Sequence, residues 1–461
     1  MQDTGVKASL LERMGLRISG NVEKWMPNPF LFAIILTFIT FVLGMVFAEQ
    51  GPVEMIDHWG EGFWELHTFA MQMVLVLVTG YVLAYHRLTR KLILGLARMP
   101  KNGAQAAVMV AIVAMVLSWI NWGLGLIVGA IIARETGRQA HFNNIKVHYP
   151  LLCTAGYMGL GLTWHWGLAG SAALLSATEG HIFEDLIGII PAGETIFSGY
   201  GLALSVLSLI YAAIIIYLLS PKSEERIRGI DYYVPEAVEK ADEEEETKKE
   251  KFDSVAEKID NSKILGGLLA LMGIVYIIRY FFIKGEGLNI DIVNFCFLFI
   301  GLALYTSPKT YLDNFYIAVK SAAGIILQFP FYAGIMGMIS LSGLGVIMAG
   351  WLVDISTPGT FPVISWLTAG LANLFVPSGG GEWSVVGETV LRAAKDLEVP
   401  IGKTIMAYSV GDAWTNLFQP FWAIPLLGIT GIKARHMFGY CITMLILLIP
   451  FLAIALSVIP Y

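Results

Sequence analysis

Apolar runs of helical length alternate with short polar segments along nearly the whole chain. Phe30 to Ala48, His67 to Tyr85, Thr195 to Ser220, Ile264 to Ile283, Ile292 to Thr306, Ala322 to Met348 and His436 to Ile459 each predict a helix crossing a bilayer, whose ~30 Å core takes ~20 helical residues. Four other apolar stretches are interrupted near their centres. Gln105 to Ala133 is broken by Ser118 to Gly123, His148 to Ser176 by Thr154 to Gly161, Val363 to Val390 by Pro377 to Trp383, and Ile401 to Thr430 by Gly411 to Asn416. Backbone loosened by glycine cannot face hydrocarbon, where unpaired N–H and C=O groups are costly. Such interruptions predict re-entrant hairpins or broken helices that meet inside the protein around a polar site, as in secondary transport. For Gln105 to Ala133 the plainer alternative is one long helix.

Charge placement gives the expected orientation. The first loop carries Glu49, Glu54, Asp57, Glu61 and Glu65 without Lys or Arg, whereas the second span is closed by Arg87, Arg90 and Lys91. By the positive-inside rule the N-terminus is cytoplasmic. Residues 1–29 predict an amphipathic segment (Leu10, Leu11, Met14, Leu16, Ile18) with no cleavable signal, and Leu88 to Met99 an interfacial one. Residues 221–262, with the run Asp242 to Glu246, read as a solvated cytoplasmic linker, and Trp351 to Pro362 as an interfacial connector. The same order of elements then occurs twice, over 30–220 with a hairpin at about 105–133 and over 292–461 with a hairpin at about 361–392. The extra helix and loop at 263–291 inverts the second copy. The expected fold is an all-α polytopic membrane protein, an inverted-topology repeat with two re-entrant hairpins and two broken transmembrane helices. Composition agrees: the 461 residues are 56% hydrophobic and 14% charged, with mean hydropathy +0.67. The net charge of −6 resides in loops and offers nucleic acid no basic patch. Cys153, Cys296 and Cys441 lie in apolar runs and predict no disulfide framework.

Candidate chemistry gathers at the interruptions. Ser118, Asn121, Trp122 and Gly123 mark the first hairpin tip, and Ser378, Gly379, Gly380 and Gly381 the second. The helix starting after each tip turns its positive dipole end toward the tip, which favours a carboxylate. Glycines that serve only helix packing are the competing explanation. At the breaks, Gly156, Gly161, Gly411, Asp412, Thr415 and Asn416 offer carbonyl and side-chain oxygens to Na⁺, together with Ser118, Asn121 and Ser378 from the tips. Asp412 could instead titrate, or merely cap the break. Glu382 and His165 are further ionisable candidates for the substrate site; a structural hydrogen bond is the plainer role for His165. Trp119, Trp122, Trp164, Trp166, Trp383, Trp414 and Trp422 crowd these motifs and predict walls of a small cavity. The sequence has no Walker A motif, metal-spaced Cys/His cluster or nucleophile elbow, so no enzyme activity and no cofactor are expected.

At these motifs the chain resembles a known family. Asn121-Trp122-Gly123-Leu124-Gly125 through Ala130, His148-Tyr149-Pro150, Pro377 to Gly381, and Gly411 to Asn416 followed by Gln419-Pro420-Phe421-Trp422 are similar to the short-chain fatty acid transporters of the AtoE type, within the ion transporter superfamily that includes dicarboxylate and citrate carriers. The resemblance runs through nearly the whole chain. It implies a homodimer of scaffold and transport domains in the cytoplasmic membrane, elevator-like movement, and uptake of acetoacetate or butyrate with Na⁺ or H⁺. Dicarboxylate carriers place Ser-Asn-Thr at both tips, where this chain has Ile120-Asn121-Trp122 and Pro377-Ser378-Gly379. The family pattern has Gln after the glycines, where this chain has Glu382, a difference that bears on substrate charge and coupling ion. The lack of Lys or Arg at tips and breaks suits a monocarboxylate. An exporter or carrier of another small organic acid or amino acid, or a passive anion channel, would show the same residues.

Overall fold

The computed structural model describes residues 10–25, 29–168, 170–239, 254–286, 290–377 and 379–461. Met26, Pro27, Ser378 and the acidic run Asp242 to Glu246 therefore lie outside the described residues. The described chain is helical throughout. Its first half comprises α1 (Leu10–Trp25), α2 (Pro29–Phe47), α3 (Pro52–Gly62), α4 (His67–Tyr85), α5 (Arg87–Ala97), α6 (Gly103–Ile120), α7 (Trp122–Phe142), α8 (Tyr149–Met158), α9 (Ser171–Ser176), α10 (Glu184–Ile187) and α11 (Gly199–Leu219). The linker forms α12 (Ile230–Tyr233), α13 (Glu236–Glu239) and α14 (Val255–Asp260), and α15 (Lys263–Ile278) follows. The second half comprises α16 (Ile290–Tyr305), α17 (Pro308–Val319), α18 (Ala323–Leu341), α19 (Leu344–Val353), α20 (Phe361–Asn373), α21 (Gly379–Asp396), α22 (Ile401–Thr415), α23 (Ile424–Thr430) and α24 (Ala434–Val458).

Polar side chains set several helix starts. The Asn102 side chain accepts from Gln105 N–H at 2.9 Å to open α6, and Ser198 accepts from Gly201 N–H at 3.0 Å to open α11. Six described helices are long and apolar enough to cross a membrane: Phe30–Phe47, Gly103–Ile120, Gly199–Leu219, Val255–Ile283, Ala323–Leu341 and Ala434–Val458. The stretch Val255–Ile283 includes α14 and α15, separated at Asn261 and Ser262, where Ser262 caps α15; Leu268, Leu271, Met272 and Val275 of α15 are exposed, as suits a lipid-facing helix.

The halves pack on each other reciprocally. α2 and α3 of the first half lie against α18 of the second, while α16 and α17 of the second lie against α4 of the first. In each half the first hairpin helix packs on the interrupted helix, α6 on α8 and α20 on α22. The second hairpin helix crosses to the other half, α7 reaching α23 and α21 reaching α9. At the α3–α18 crossing, a Cβ on Gly62 would lie 2.5 Å from Gly337 Cα, so two glycines are what allow that approach.

Five expectations are corrected. The acidic first loop contains α3, which starts at Pro52 with the Glu54 carboxylate turned back onto Gly51 N–H. The expected span Ala322 to Met348 is two helices, because Gly343 takes φ +75 between α18 and α19. Consequently the connector expected at Trp351 to Pro362 begins inside α19. α17 is an additional helix, opened by Pro308 behind the Ser307 cap. The linker is also partly ordered: Arg138 Nε donates to Ala237 O at 2.8 Å, holding α13 against α7.

The interruptions fall later than the glycines suggested. Gly156 remains inside α8, Gly159–Thr163 form a π-helical turn, and the chain leaves helix only after Thr163. Gly411, Asp412 and Thr415 all belong to α22, which ends at Thr415 with Asn416 as its cap.

Candidate functional site

A single extended residue makes the first tip. Asn121 (φ −156, ψ 124) ends α6 and begins α7, and its Oδ1 accepts from Leu124 N–H at 3.0 Å. The two helices run antiparallel in close contact, since Cβ atoms on Gly125 and Gly129 would fall on Ser118 and Ala114. The tip is fixed to the turn after the π-helix: Leu168 N–H donates to Trp119 O at 2.7 Å. Gly123 is buried there, and Trp122 meets Trp422 (ring centroids 5.2 Å) and Trp164 (6.5 Å), with Trp164 and Trp422 6.0 Å apart.

The second tip reaches the same turn from the other side. α21 starts at Gly379, and a Cβ there would lie 2.9 Å from Trp164 Cη2, 3.0 Å from His165 Cε1 and 3.0 Å from Ser171 Oγ. Gly380 lies above Ser171 and Leu175, Gly381 is half-buried, and Glu382 and Trp383 are wholly buried. The Trp164–His165 turn is therefore the floor on which both tips rest.

An ionisable cluster lies beside that floor. His165 Nδ1 is in contact with Asp412 Oδ2, both side chains fully buried, and His165 Nε2 accepts from Ala172 N–H at 3.2 Å. Nε2 is thus engaged by the backbone, while Nδ1 faces the Asp412 carboxylate. Glu382 lies near Asp412 and Tyr408, with both of its buried carboxylate oxygens free of hydrogen bonds. The side chains come from the α8–α9 turn, α21 and α22, so the cluster exists only when both halves are assembled.

A neutral amide network adjoins it. Asn373 Nδ2 lies within 2.8 Å of Asp412 O, 3.0 Å of Thr415 Oγ1 and 2.8 Å of Asn416 Oδ1. Asn416 Nδ2 donates to Leu160 O at 3.0 Å, and Tyr157 OH to Asn416 O at 3.1 Å.

A family model described as "Short chain fatty acid transporter" matches residues 10–459. The chain belongs to the short-chain fatty acid transporter family. Two relatives, each described as "Putative short-chain fatty acid transporter", agree along their length. The one from Escherichia coli (strain K12) is 39% identical, covering 92% of this chain and 94% of the relative. The one from Haemophilus influenzae is 37% identical, covering 97% and 99%. Among solved structures the chain is similar to the Alcanivorax borkumensis YdaH transporter (TM-score 0.43, 18% identity, 93% of this chain and 98% of that one). It is also similar to Neisseria gonorrhoeae MtrF (TM-score 0.40, 15% identity, 95% and 97%). Membership in the transporter family, with several apolar helices, makes this a multi-pass membrane protein.

In this family member the residues singled out in the sequence separate into two groups. Asn121, Trp122, Gly123, Gly379, Gly380, Gly381, Glu382, His165 and Asp412 converge at the tips and their floor. Gly156, Gly161 and Gly411 serve close packing: Cβ atoms there would lie 2.6 Å from Gly129 O, 2.3 Å from Leu417 Cδ2 and 2.0 Å from Trp366 O. Ser118 is wedged between Gly125 and Gly159. Trp414 turns away, its indole N–H donating to Leu445 O at 2.9 Å, as does Trp119, bonded to Ser205 Oγ at 3.1 Å. Asn373 and Tyr408 were missed. Asn373 was visible as a lone amide in the apolar run Val363 to Val376, which membrane burial makes a functional signal. Among the described residues, no three His, Cys, Asp or Glu side chains group to hold a metal. A groove of about 590 Å³ lined by His67, Gln72, Asp291, Asn294, Phe295 and Phe299 between α4 and α16 lies apart from these motifs. It is open-sided, and its polar groups are largely bonded to each other, Gln72 to Asp291 at 2.7 Å and Asn294 to Gln72 O at 3.0 Å.

Proposed function

We propose that the protein is a secondary active importer of short-chain fatty acids such as acetoacetate or butyrate, coupled to Na⁺ or H⁺ symport by elevator-type movement. The observation that carries the reading is the meeting of both hairpin tips on the Trp164–His165 turn. The positive end of α21 favours a carboxylate beside Gly379 to Gly381, with Asn121 and Trp122 closing the other side. Trp122, Trp164 and Trp422 suit a short alkyl chain. Na⁺ candidates remain Ser118, Asn121, Ser378, Asp412, Thr415 and Asn416, with backbone oxygens near Gly156, Gly161 and Gly411. The reciprocal packing supports two repeats of opposite orientation. Helices α6–α9 and α20–α23 meet α2–α4 and α16–α18 through α7 on α4 and α23 on α18, an interface along which the first group would move against the second. A homodimer in the cytoplasmic membrane, N-terminus inside, completes the reading.

Labelled butyrate or acetoacetate in proteoliposomes under imposed Na⁺ or pH gradients tests it. Concentrative uptake under one gradient is expected; none under either would overturn it.

A further inference from the structure

We propose that the ion carried with the substrate is a proton and that Glu382 is its carrier. The inference rests on the transport reading above and narrows its coupling ion.

Two carboxylates, Glu382 and Asp412, lie near each other in the interior, neither has any solvent exposure, and neither oxygen of Glu382 has a hydrogen-bond partner. Among the described residues no lysine or arginine forms an ion pair with either. The base that reaches them is His165. Nε2 is engaged by Ala172 N–H, and Nδ1 faces the Asp412 carboxylate. Among the described residues, Glu382 is left with a neighbouring carboxylate, no hydrogen bond to either oxygen and no lysine or arginine paired with it. Two neighbouring carboxylates away from water are costly to ionise together.

The remaining surroundings of Glu382 leave this inventory unchanged. Toward α18, α19 and α20 it borders a small cavity lined by Ile339, Gly345, Met348, Phe375 and Val376, all without charge. From α20 the polar neighbour of the cluster is the neutral Asn373, and from α9 it is Ser171. On α10, Glu184 accepts from Gly180 N–H and Asp185 is exposed.

The adjacent oxygens are poorly placed to take Na⁺ instead. Asp412 O, Thr415 Oγ1 and Asn416 Oδ1 all point at the Asn373 amide, and Leu160 O accepts from the Asn416 amide. Amide donors occupy the position where these oxygens converge. A cation there would have to displace them.

The position of Glu382 links proton to substrate. It is in the first turn of α21, the turn whose positive end would hold the substrate carboxylate. An ionised Glu382 repels that anion; a protonated one does not. At separations of ~6–7 Å and an effective dielectric of ~20, the repulsion weakens anion binding on the order of a hundredfold. When the site opens to water, Glu382–COO⁻ takes a proton and the acid anion binds beside Glu382–COOH. One negative and one positive charge enter together, and on the far side both leave.

The test is proton uptake on binding by the whole purified protein, in weak buffer without Na⁺, using a pH indicator while acetoacetate or butyrate is added. Expected are close to one proton taken up per anion bound at alkaline pH, and affinity falling up to tenfold per pH unit there. Na⁺ at constant pH should not change the affinity. In E382Q the proton uptake should vanish and the affinity should become flat with pH. Binding without proton uptake in the wild type, affinity that rises with Na⁺, or an E382Q protein that still takes up the proton would each overturn the proposal. Should E382Q fail to fold, the wild-type stoichiometry and pH slope decide alone. Absence of binding by any short-chain acid would instead reject the transport reading itself, and the proton proposal with it.

Discussion

Adding one methyl group at Gly379 probes the seat of the second tip directly. The new Cβ would meet Trp164 Cη2 at 2.9 Å, His165 Cε1 at 3.0 Å and Ser171 Oγ at 3.0 Å. None of the ring atoms can easily give way. Trp164 and His165 are stacked, centroids 4.4 Å apart and planes 11° apart, and His165 is held at both nitrogens by Asp412 and Ala172. Overpacking of this kind costs ~1–3 kcal/mol. Replacing glycine by alanine within a helix returns ~0.5–1 kcal/mol of backbone entropy, so Gly379→Ala should still lose stability, by ~0.5–2 kcal/mol. Gly380→Ala supplies the control for stability, because its Cβ would meet nothing closer than Leu175 Cδ1 at 3.9 Å and Ser171 Cβ at 4.0 Å. It should melt at or slightly above wild type. For a chain of this length the shift is on the order of 1–2 °C per kcal/mol, within reach of fluorescence melting in detergent. Because the tip is also displaced from its floor, Gly379→Ala should raise KM for acetoacetate in proteoliposomes roughly tenfold. A Gly379→Ala protein as stable as Gly380→Ala, with wild-type KM, would refute the seating of the tip on Trp164 and His165.

Further outcomes follow from other contacts. Asn373→Ala should cost ~1–3 kcal/mol, because it strips an amide from Asp412 O, Thr415 Oγ1 and Asn416 Oδ1 in a dry interior; Asn373→Asp, which turns acceptors against acceptors, should melt lower than the alanine variant, and the opposite order would count against the network. His86 caps α5 by accepting from Leu88 N–H at 3.3 Å, and burial holds its pKa below the ordinary 6.5. A depressed histidine pKa gives stability that is full above the unfolded value and lost as pH falls through the folded one, so α5 amides should exchange faster, after intrinsic correction, at about pH 5 than at about pH 7.5. His86→Asn, which keeps an acceptor that does not titrate, should abolish that difference. At the α3–α18 crossing, Gly337→Ala would put a Cβ 2.6 Å from Gly62 Cα with only backbone to yield, whereas Gly60→Ala meets nothing within 4 Å; expression and melting should suffer in the first and not in the second.

The spans were legible because hydrophobic length is a direct physical requirement of the bilayer: His67 to Tyr85 is α4 residue for residue, and Phe30 to Ala48 differs from α2 by one residue at each end. Amphipathic stretches fared well for the same reason, as Leu88 to Met99 and α5 show. Breaks were harder to place. Glycine signals both chain reversal and close helix contact, and at Gly156 and Gly411 contact decides, so the helices run on past them. Pairings remote in sequence left no local trace. His165 and Asp412 could be nominated separately as buried ionisable groups, but only the assembled halves reveal that they touch each other and that Glu382 lies near Asp412. The α3 helix escaped notice because its charged outer face reads as loop, and α17 because it is short and half-polar.

Hydrogen exchange of the purified protein with and without saturating acetoacetate reads most directly whether both tips hold one carboxylate. Slowed exchange is expected together in residues 119–125 and 379–383, with α4 and α16 unchanged. Protection confined to one tip, or found instead along the groove of His67, Gln72, Asp291 and Asn294, would contradict a shared site on the Trp164–His165 turn.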